Sequence, residues 1–164
     1  MPQLPDKERT LAAVRAAIDA RLAELAASQQ ASQAGATHSE TRQENPKDTR
    51  AIEAGYLARG LAERVEALRE AQATLAGLRL EPFDAGDGMG VNQLAALEAD
   101  DGDERLVFLL PAGGGIEVNV DDETVSVLTP QAPLGRALLG CAPGEEVDVK
   151  TPRAAHHYRV IAIA

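Results

Sequence analysis

The stretch from Gly35 to Arg50 divides two long runs of helical periodicity, and few folds accommodate that arrangement. Before it, Leu11, Val14, Ile18, Leu22 and Leu25 step by three or four and form one apolar stripe. After it, Ile52, Tyr56, Leu57, Leu61, Val65, Leu68, Leu75 and Leu78 do the same. A helix from about Asp6 to Ala34 is on the order of 45 Å long at 1.5 Å per residue. It is too long for the interior of so small a protein and needs an equally long neighbour. The run from Pro46 to about Leu78 supplies one, so the chain predicts an antiparallel helical hairpin with these apolar residues as its seam.

The dividing stretch reads as the tip. Gly35 suits the left-handed position just past a helix end. Asn45 suits an N-cap, Pro46 the first turn, and Asp48 the positive end of the helix dipole. The tip therefore presents Glu40, Glu44 and Asp48 at the end of a slender arm. The plain reading of these carboxylates is solvation and capping, with Arg42 and Arg50 balancing them. A lone loop histidine such as His38 is read as exposed. Near the helix start, Asp6 is the expected N-cap. Glu63, Arg64, Glu66, Arg69 and Glu70 form a wet face.

Past Leu80 the periodicity lapses. Glu81-Pro82 ends the helix, and Asp84 to Gly90 is too rich in Gly and Asp for a regular element. Gly86, Gly88 and Gly90 lack the Lys-Ser or Lys-Thr that a phosphate loop needs. Beyond Asn92 the period becomes that of strands. Leu94–Ala99, Arg105–Leu110, Ile116–Val120, Thr124–Leu128, a pair at Val147 and Val149, and Tyr158–Ile163 are predicted strands. A short helix, Leu134 to Leu139, ends at Gly140. His156 and His157 alternate faces and cannot serve one ion. The domain reading is thus a hairpin over 1–79 with its tip at 35–50, a linker over 80–93 and a small β domain over 94–164.

Composition narrows the function. The net charge of −10, from 26 acidic and 16 basic residues, argues against a nucleic-acid backbone as the direct partner. The single cysteine, Cys141, forms no internal disulfide and fits a reducing compartment; no His is fixed near it by sequence, so it is not read as a nucleophile. The N-terminus has no apolar signal core, and no stretch approaches the roughly 20 apolar residues of a membrane span. The expectation is a soluble, cytoplasmic, monomeric protein with no membrane association and no intrinsic cofactor.

From Ser126 to Gly140 the chain reads Ser-Val-Leu-Thr-Pro-Gln-Ala-Pro-Leu-Gly-Arg-Ala-Leu-Leu-Gly. It resembles there the C-terminal domain of the bacterial GreA/GreB transcription elongation factors. In that family a strand runs into a Ser-Pro turn, a short helix with Arg-x-Leu, and a Gly before a strand pair. Ala132-Pro133 takes the Ser-Pro place, Arg136-Ala-Leu138 the Arg-x-Leu place, and Gly144 to Val147 and Val149 to Pro152 continue the likeness. The order of hairpin, linker and β domain is also the family's.

The resemblance implies an α+β fold: a long antiparallel coiled-coil hairpin, then a small FKBP-like antiparallel β domain with one short helix. It implies RNA polymerase as the partner, with nucleic acid reached only through it. Gln131, Ala132, Pro133 and Arg136 would grip the rim of the polymerase's secondary channel. Glu44, Asp48 and Glu40 would reach its catalytic centre, where Glu44 and Asp48 could ligate the polymerase's own Mg²⁺. Any transcript cleavage would be catalysed by the complex, so the chain is not an enzyme by itself. Family members that cleave carry Asp-x-x-Glu-Asn at the tip. Here Glu44-Asn45 matches and Thr41 stands in place of the Asp. Some relatives have an acidic residue where Gln131 stands. The alternatives are a non-cleaving inhibitor that blocks the channel, an FKBP-like folding helper, or a coiled-coil adaptor.

Overall fold

The computed structural model describes residues 3–39 and 49–164, with side chains over 3–31 and 49–164. Helix α1 spans Lys7–Ser39 and α2 spans Thr49–Ala76. Asp6 caps α1 as its position suggested: its Oδ1 accepts the Arg9 amide at 2.8 Å. The Thr10 hydroxyl, fully buried, donates to the Asp6 carbonyl at 2.7 Å.

Gly35 does not end the first helix, which continues to Ser39. A single glycine costs a helix about 1 kcal/mol relative to Ala, too little by itself to stop one in which Ala34 and Ala36 flank it. At 33 residues α1 is roughly 50 Å long. The expected caps at Asn45, Pro46 and Asp48 lie outside the described residues.

Two side-chain contacts set the hairpin register. Gln72 Nε2 donates to Asp19 Oδ1 at 2.6 Å. Arg15 donates from Nε and Nη2 to the Leu75 carbonyl at 2.9 and 2.6 Å, and from Nη2 to the Leu78 carbonyl at 3.3 Å. Arg15 thus caps the last turn of α2 from the other helix, satisfying carbonyls that the helix end leaves free.

The seam is narrower than its apolar periodicity suggested. Val65, Ala71 and Leu75 are buried, and Leu61 and Leu68 are half-buried. Ile52, Tyr56 and Leu57, expected in the seam, are 56%, 67% and 75% exposed. Helical phase accounts for two of them. At about 100° per residue, Ile52 and Tyr56 point roughly 120° or more away from the midline of Leu61, Val65 and Leu68. Leu57 lies on the seam side and is exposed nonetheless.

The remaining chain forms a six-stranded sheet in the order β3-β4-β2-β1-β6-β5. The strands are β1 (Gln93–Ala99), β2 (Glu104–Leu109), β3 (Glu117–Val120), β4 (Glu123–Leu128), β5 (Glu146–Lys150) and β6 (Ala155–Ile163). Helix α3 (Pro133–Leu138) lies between β4 and β5. All pairings are antiparallel except β2 with β4, so the sheet is mixed. The turn at Asp121-Asp122 has φ of 53° and 66° in a two-residue loop between the paired Val120 and Glu123. Both residues are left-handed, as a type I′ hairpin turn requires, and Asp tolerates this better than most side chains.

Each face of the sheet carries a core, built with a different part of the chain. Leu94, Ala96, Leu106, Phe108, Val118, Val120, Val125 and Val127 share one core with Leu11, Val14, Ile18, Ala71 and Leu75 of the hairpin. Ala95, Leu97, Val107, Leu109, Val147, Val149, Tyr158 and Val160 share the other with Leu138 of α3 and Met89. Strands β1 and β2 serve both cores, which explains their unbroken buried runs.

Only the root of the hairpin is sunk in the sheet. Leu22 packs partly against that core, but Leu25 and Gln29 are only half-buried and belong to neither cluster. Outward of Gly60 every described α2 residue is exposed. The arm is therefore neither laid flat on the sheet nor built into it beyond its root.

Candidate docking face and arm

The first candidate face is built at the end of β4. The chain turns at Thr129-Pro130-Gln131, closed by the Ala132 amide donating to the Thr129 carbonyl at 3.0 Å. Ala132 is the N-cap of α3 in an extended conformation, and Pro133 takes the first turn, where its missing N–H costs nothing. The Arg136 amide donates back to the Ala132 carbonyl at 2.9 Å, and Arg136 Nη2 donates to the Gln131 carbonyl at 3.2 Å. Gln131, Pro133 and Arg136 are exposed and Ala132 is half-buried. The four residues picked out in the sequence are thus brought together on one turn of chain.

Gly135 holds α3 against the sheet. A Cβ there would fall well inside van der Waals contact of the Thr129 carbonyl oxygen and 3.1 Å from Leu109 Cδ1. The backbone approaches its support at a distance only glycine allows. Leu138 fills the core beneath, fully buried, and Gly140, at φ 81°, ends the helix.

A second support was not foreseen. Met89, 1% exposed, plugs the α3-side core. Its amide donates to the Cys141 carbonyl at 2.8 Å, and the Gly140 amide donates to the Met89 carbonyl at 2.7 Å. Gly88 has φ 69°, and a Cβ on it would collide with the Gly140 carbonyl. The linker glycines therefore let a strap lie along the end of α3. Its only mark in the sequence is a lone methionine among glycines, too slight to separate it from a plain linker. Two exposed apolar residues flank the strap, Val91 and Leu139.

The second candidate is the arm. Glu40, Glu44 and Asp48 lie outside the described residues, as does the side chain of His38. Among the described residues no group of three or more His, Cys, Asp and Glu is placed to hold a metal ion. His156 and His157 do take opposite directions. His156 stacks on Tyr158 at 6.2 Å between ring centroids, while His157 Nδ1 meets Asp148 Oδ1 at 2.7 Å. The hydrogen bond to Asp148 is the main cause that raises the pKa of His157. Glu146 holds Arg159 at 2.8 Å, which lowers its own pKa. Cys141 donates from Sγ to the Ala137 carbonyl at 3.2 Å, and burial raises its pKa, the opposite of an activated thiol. No helix among the described residues is long and apolar enough to cross a membrane.

Residues 91–164 match the family described as "Transcription elongation factor, GreA/GreB, C-term". The chain is 30% identical over 137 residues to the transcription elongation factor GreA of Syntrophobacter fumaroxidans, covering 74% of this chain and 85% of the relative. It is 28% identical over 111 residues to GreA of Rickettsia canadensis, covering 60% of this chain and 65% of that one. Among solved structures it is similar to the GreA factor homolog 1 of Thermus thermophilus, at 20% identity and a TM-score of 0.38, covering 93% of this chain and 95% of the other. It is also similar to a GreA/GreB factor of Nitrosomonas europaea, at 20% identity and a TM-score of 0.37, covering 70% and 93%.

Proposed function

Because the chain belongs to the GreA/GreB family of transcription elongation factors, we propose that it docks on bacterial RNA polymerase through α3 and extends its arm into the secondary channel. The observation that carries this reading is the division of labour across one sheet. The root of the arm is sunk in one face, and the turn bearing Gln131, Pro133 and Arg136 is fixed to the other. A partner that grips the α3 side therefore also sets the direction of the arm.

In this reading Glu44 and Asp48, with Glu40 beside them, act as oxygen donors at the far end. Carboxylates delivered to a polymerase active site could steady a loosely held Mg²⁺, which takes oxygen ligands and keeps several waters. The ion would be the polymerase's own, and the chain would contribute ligands and the orientation of a water.

Thr41 in place of the family's tip Asp favours a second outcome of the same docking: occupation of the channel without cleavage. One experiment separates the two. Core polymerase is titrated with labelled chain, and a backtracked elongation complex is then incubated with it in Mg²⁺. Cleavage that falls on the order of tenfold or more in Glu44→Ala supports metal assistance by the tip. Slower elongation without cleavage, relieved by Arg136→Ala, supports blocking. Absence of binding to core polymerase sinks both.

The folding-helper alternative needs an apolar peptide pocket. A cleft of about 480 Å³ beside the start of α1 does not meet that need: it is lined by Gln3, Leu4, Pro5, Asp6, Asp121 and Glu123, with three carboxylates and no aromatic ring.

A further inference from the structure

The outer face of α2 changes character along its length. At helical phase, Glu63, Glu66 and Glu70 share the line that points away from α1, and all are exposed. This is an ordinary wet face. Outward of it the same line carries Arg59, Tyr56 and Ile52 instead. Ile52 is 56% and Tyr56 67% exposed, and they lie one turn apart at i and i+4. The Arg59 guanidinium sits 5.8 Å from the centre of the Tyr56 ring. These three side chains fall within about 60° of one another around the helix.

Neither the seam nor the sheet covers this ridge. The seam lies on the other side of α2, and the sheet's cores include nothing outward of Leu68 on this helix. A second copy of the chain is a poor occupant. Two or three side chains fall short of the roughly 800 Å² per partner that a stable interface buries. Two chains of net charge −10 also repel. An apolar pair edged by a cation suits instead a small, supplementary contact within a larger interface anchored elsewhere, on an apolar surface with a carboxylate at its margin.

We propose that the Ile52–Tyr56–Arg59 ridge is a side-wall contact of the arm, seated on an apolar protein surface with an acidic margin lining the channel that the arm enters. This rests on the polymerase-docking reading above and adds to it a contact that neither the tip nor α3 makes. The ridge acts as a guide: it fixes the arm's rotation about its own axis, which the tip carboxylates need in order to arrive in one orientation.

The test is the affinity of the full chain for core polymerase, with sedimentation of the free chain alongside. Ile52→Ser/Tyr56→Ser is expected to bind about tenfold more weakly, the combined loss of two peripheral contacts that each cost a factor of about three. Arg59→Ala is expected to weaken binding by a smaller factor, and Glu70→Gln, on the same line nearer the root, to leave it unchanged. Both ridge side chains are exposed, so helicity should be retained. Independently, a photo-crosslinker on Tyr56→Cys in a Cys141→Ser background should form an adduct with a polymerase subunit. If the parent chain binds and Arg136→Ala weakens it while the ridge variants do not and no adduct forms, the ridge proposal falls and the docking reading stands. If the parent chain does not bind polymerase, the docking reading falls and takes the ridge with it. If the free chain sediments as a dimer that Ile52→Ser/Tyr56→Ser splits, a second copy covers the ridge and the proposal is overturned.

Discussion

The two faces of the sheet are sealed by different means. The face under the hairpin is closed by volume: Leu11, Val14, Ile18 and Leu75, all fully buried, lie against Leu94, Phe108 and Val125. The face under α3 is closed by proximity: Gly135 brings backbone against the Thr129 carbonyl, and Gly88 brings a strap against Gly140. Burial by volume is forgiving of sequence and holds a long lever firmly. Burial by close approach is unforgiving and fixes a short element in one place. The same two central strands join the two kinds of closure.

The largest effect should come from the hairpin face. Ile18→Ala removes a fully buried side chain at the root of the arm. It is expected to cost about 2–5 kcal/mol, read from denaturant unfolding. Leu57→Ala, in the same hairpin but 75% exposed, should stay within about 0.5 kcal/mol. Equal costs for the two would erase the distinction between root and arm.

On the other face, Gly135→Ala should cost about 1–3 kcal/mol through overpacking. The more telling result is functional. Because the new methyl must push α3 off the sheet, affinity for polymerase should fall further than in a variant of equal stability made at the hairpin root. If both lose affinity only in step with stability, α3 is not the docking element.

Arg15 gives a smaller test, confined to the root. Arg15→Met keeps much of the stem's packing and removes the donors to the Leu75 and Leu78 carbonyls. Carbonyls left short of a partner at a part-buried helix end should cost about 1–3 kcal/mol. Amide exchange should speed up in the last turn of α2 and not in α3.

How far each face was legible in the sequence follows from how it is sealed. Leu11, Val14 and Ile18 announce the hairpin root because volume burial writes itself as a stripe of large apolar residues. Strands β3 to β6 are visible because inward and outward residues alternate, and β1 and β2, buried on both faces, as short apolar runs between turn signals. The parallel pairing of β2 with β4 is not visible, because alternation is identical for either direction and the partner is set by the intervening chain. Gly135 and the Met89 strap were opaque because close approach needs only the absence of a side chain. Spacing alone places Ile52 and Tyr56 in the seam. Their phase, about a third of a turn or more from Leu61 and Val65, put them outside it. Of the site, the α3 turn was readable through its Ala-Pro and Arg-x-Leu residues, while the tip carboxylates lie outside the described residues.

The smallest effect concerns the part of the hairpin-side face that the hairpin leaves open. There Glu146 and Asp148 of β5 lie across from Arg159 and His157 of β6, with Asp100 close enough to act on His157 by charge. The hydrogen bond to Asp148 raises the pKa of His157 most. Partial burial opposes this, and the charges of Asp100, Asp148 and Glu146 add to it. Because the folded value lies above the ordinary one, the contribution of His157 is fully present below the ordinary histidine range. It is lost as pH rises through the raised value. Glu146 behaves in the opposite sense. Its pKa is lowered chiefly by the hydrogen bond from Arg159, so its contribution is present above the ordinary carboxylate range and lost as pH falls through the lowered value. The clasp on the edge strand β5 is therefore strongest between those limits. The pairs are exposed, and the effect on global unfolding should be slight. Proton resonances of the His157 ring, followed through a pH titration, should show a midpoint above that of a free histidine, and Asp148→Asn should bring it down. A midpoint that ignores Asp148→Asn would mean that the 2.7 Å contact does not hold the proton on the ring, and that this wing of the sheet is held by its backbone ladder alone.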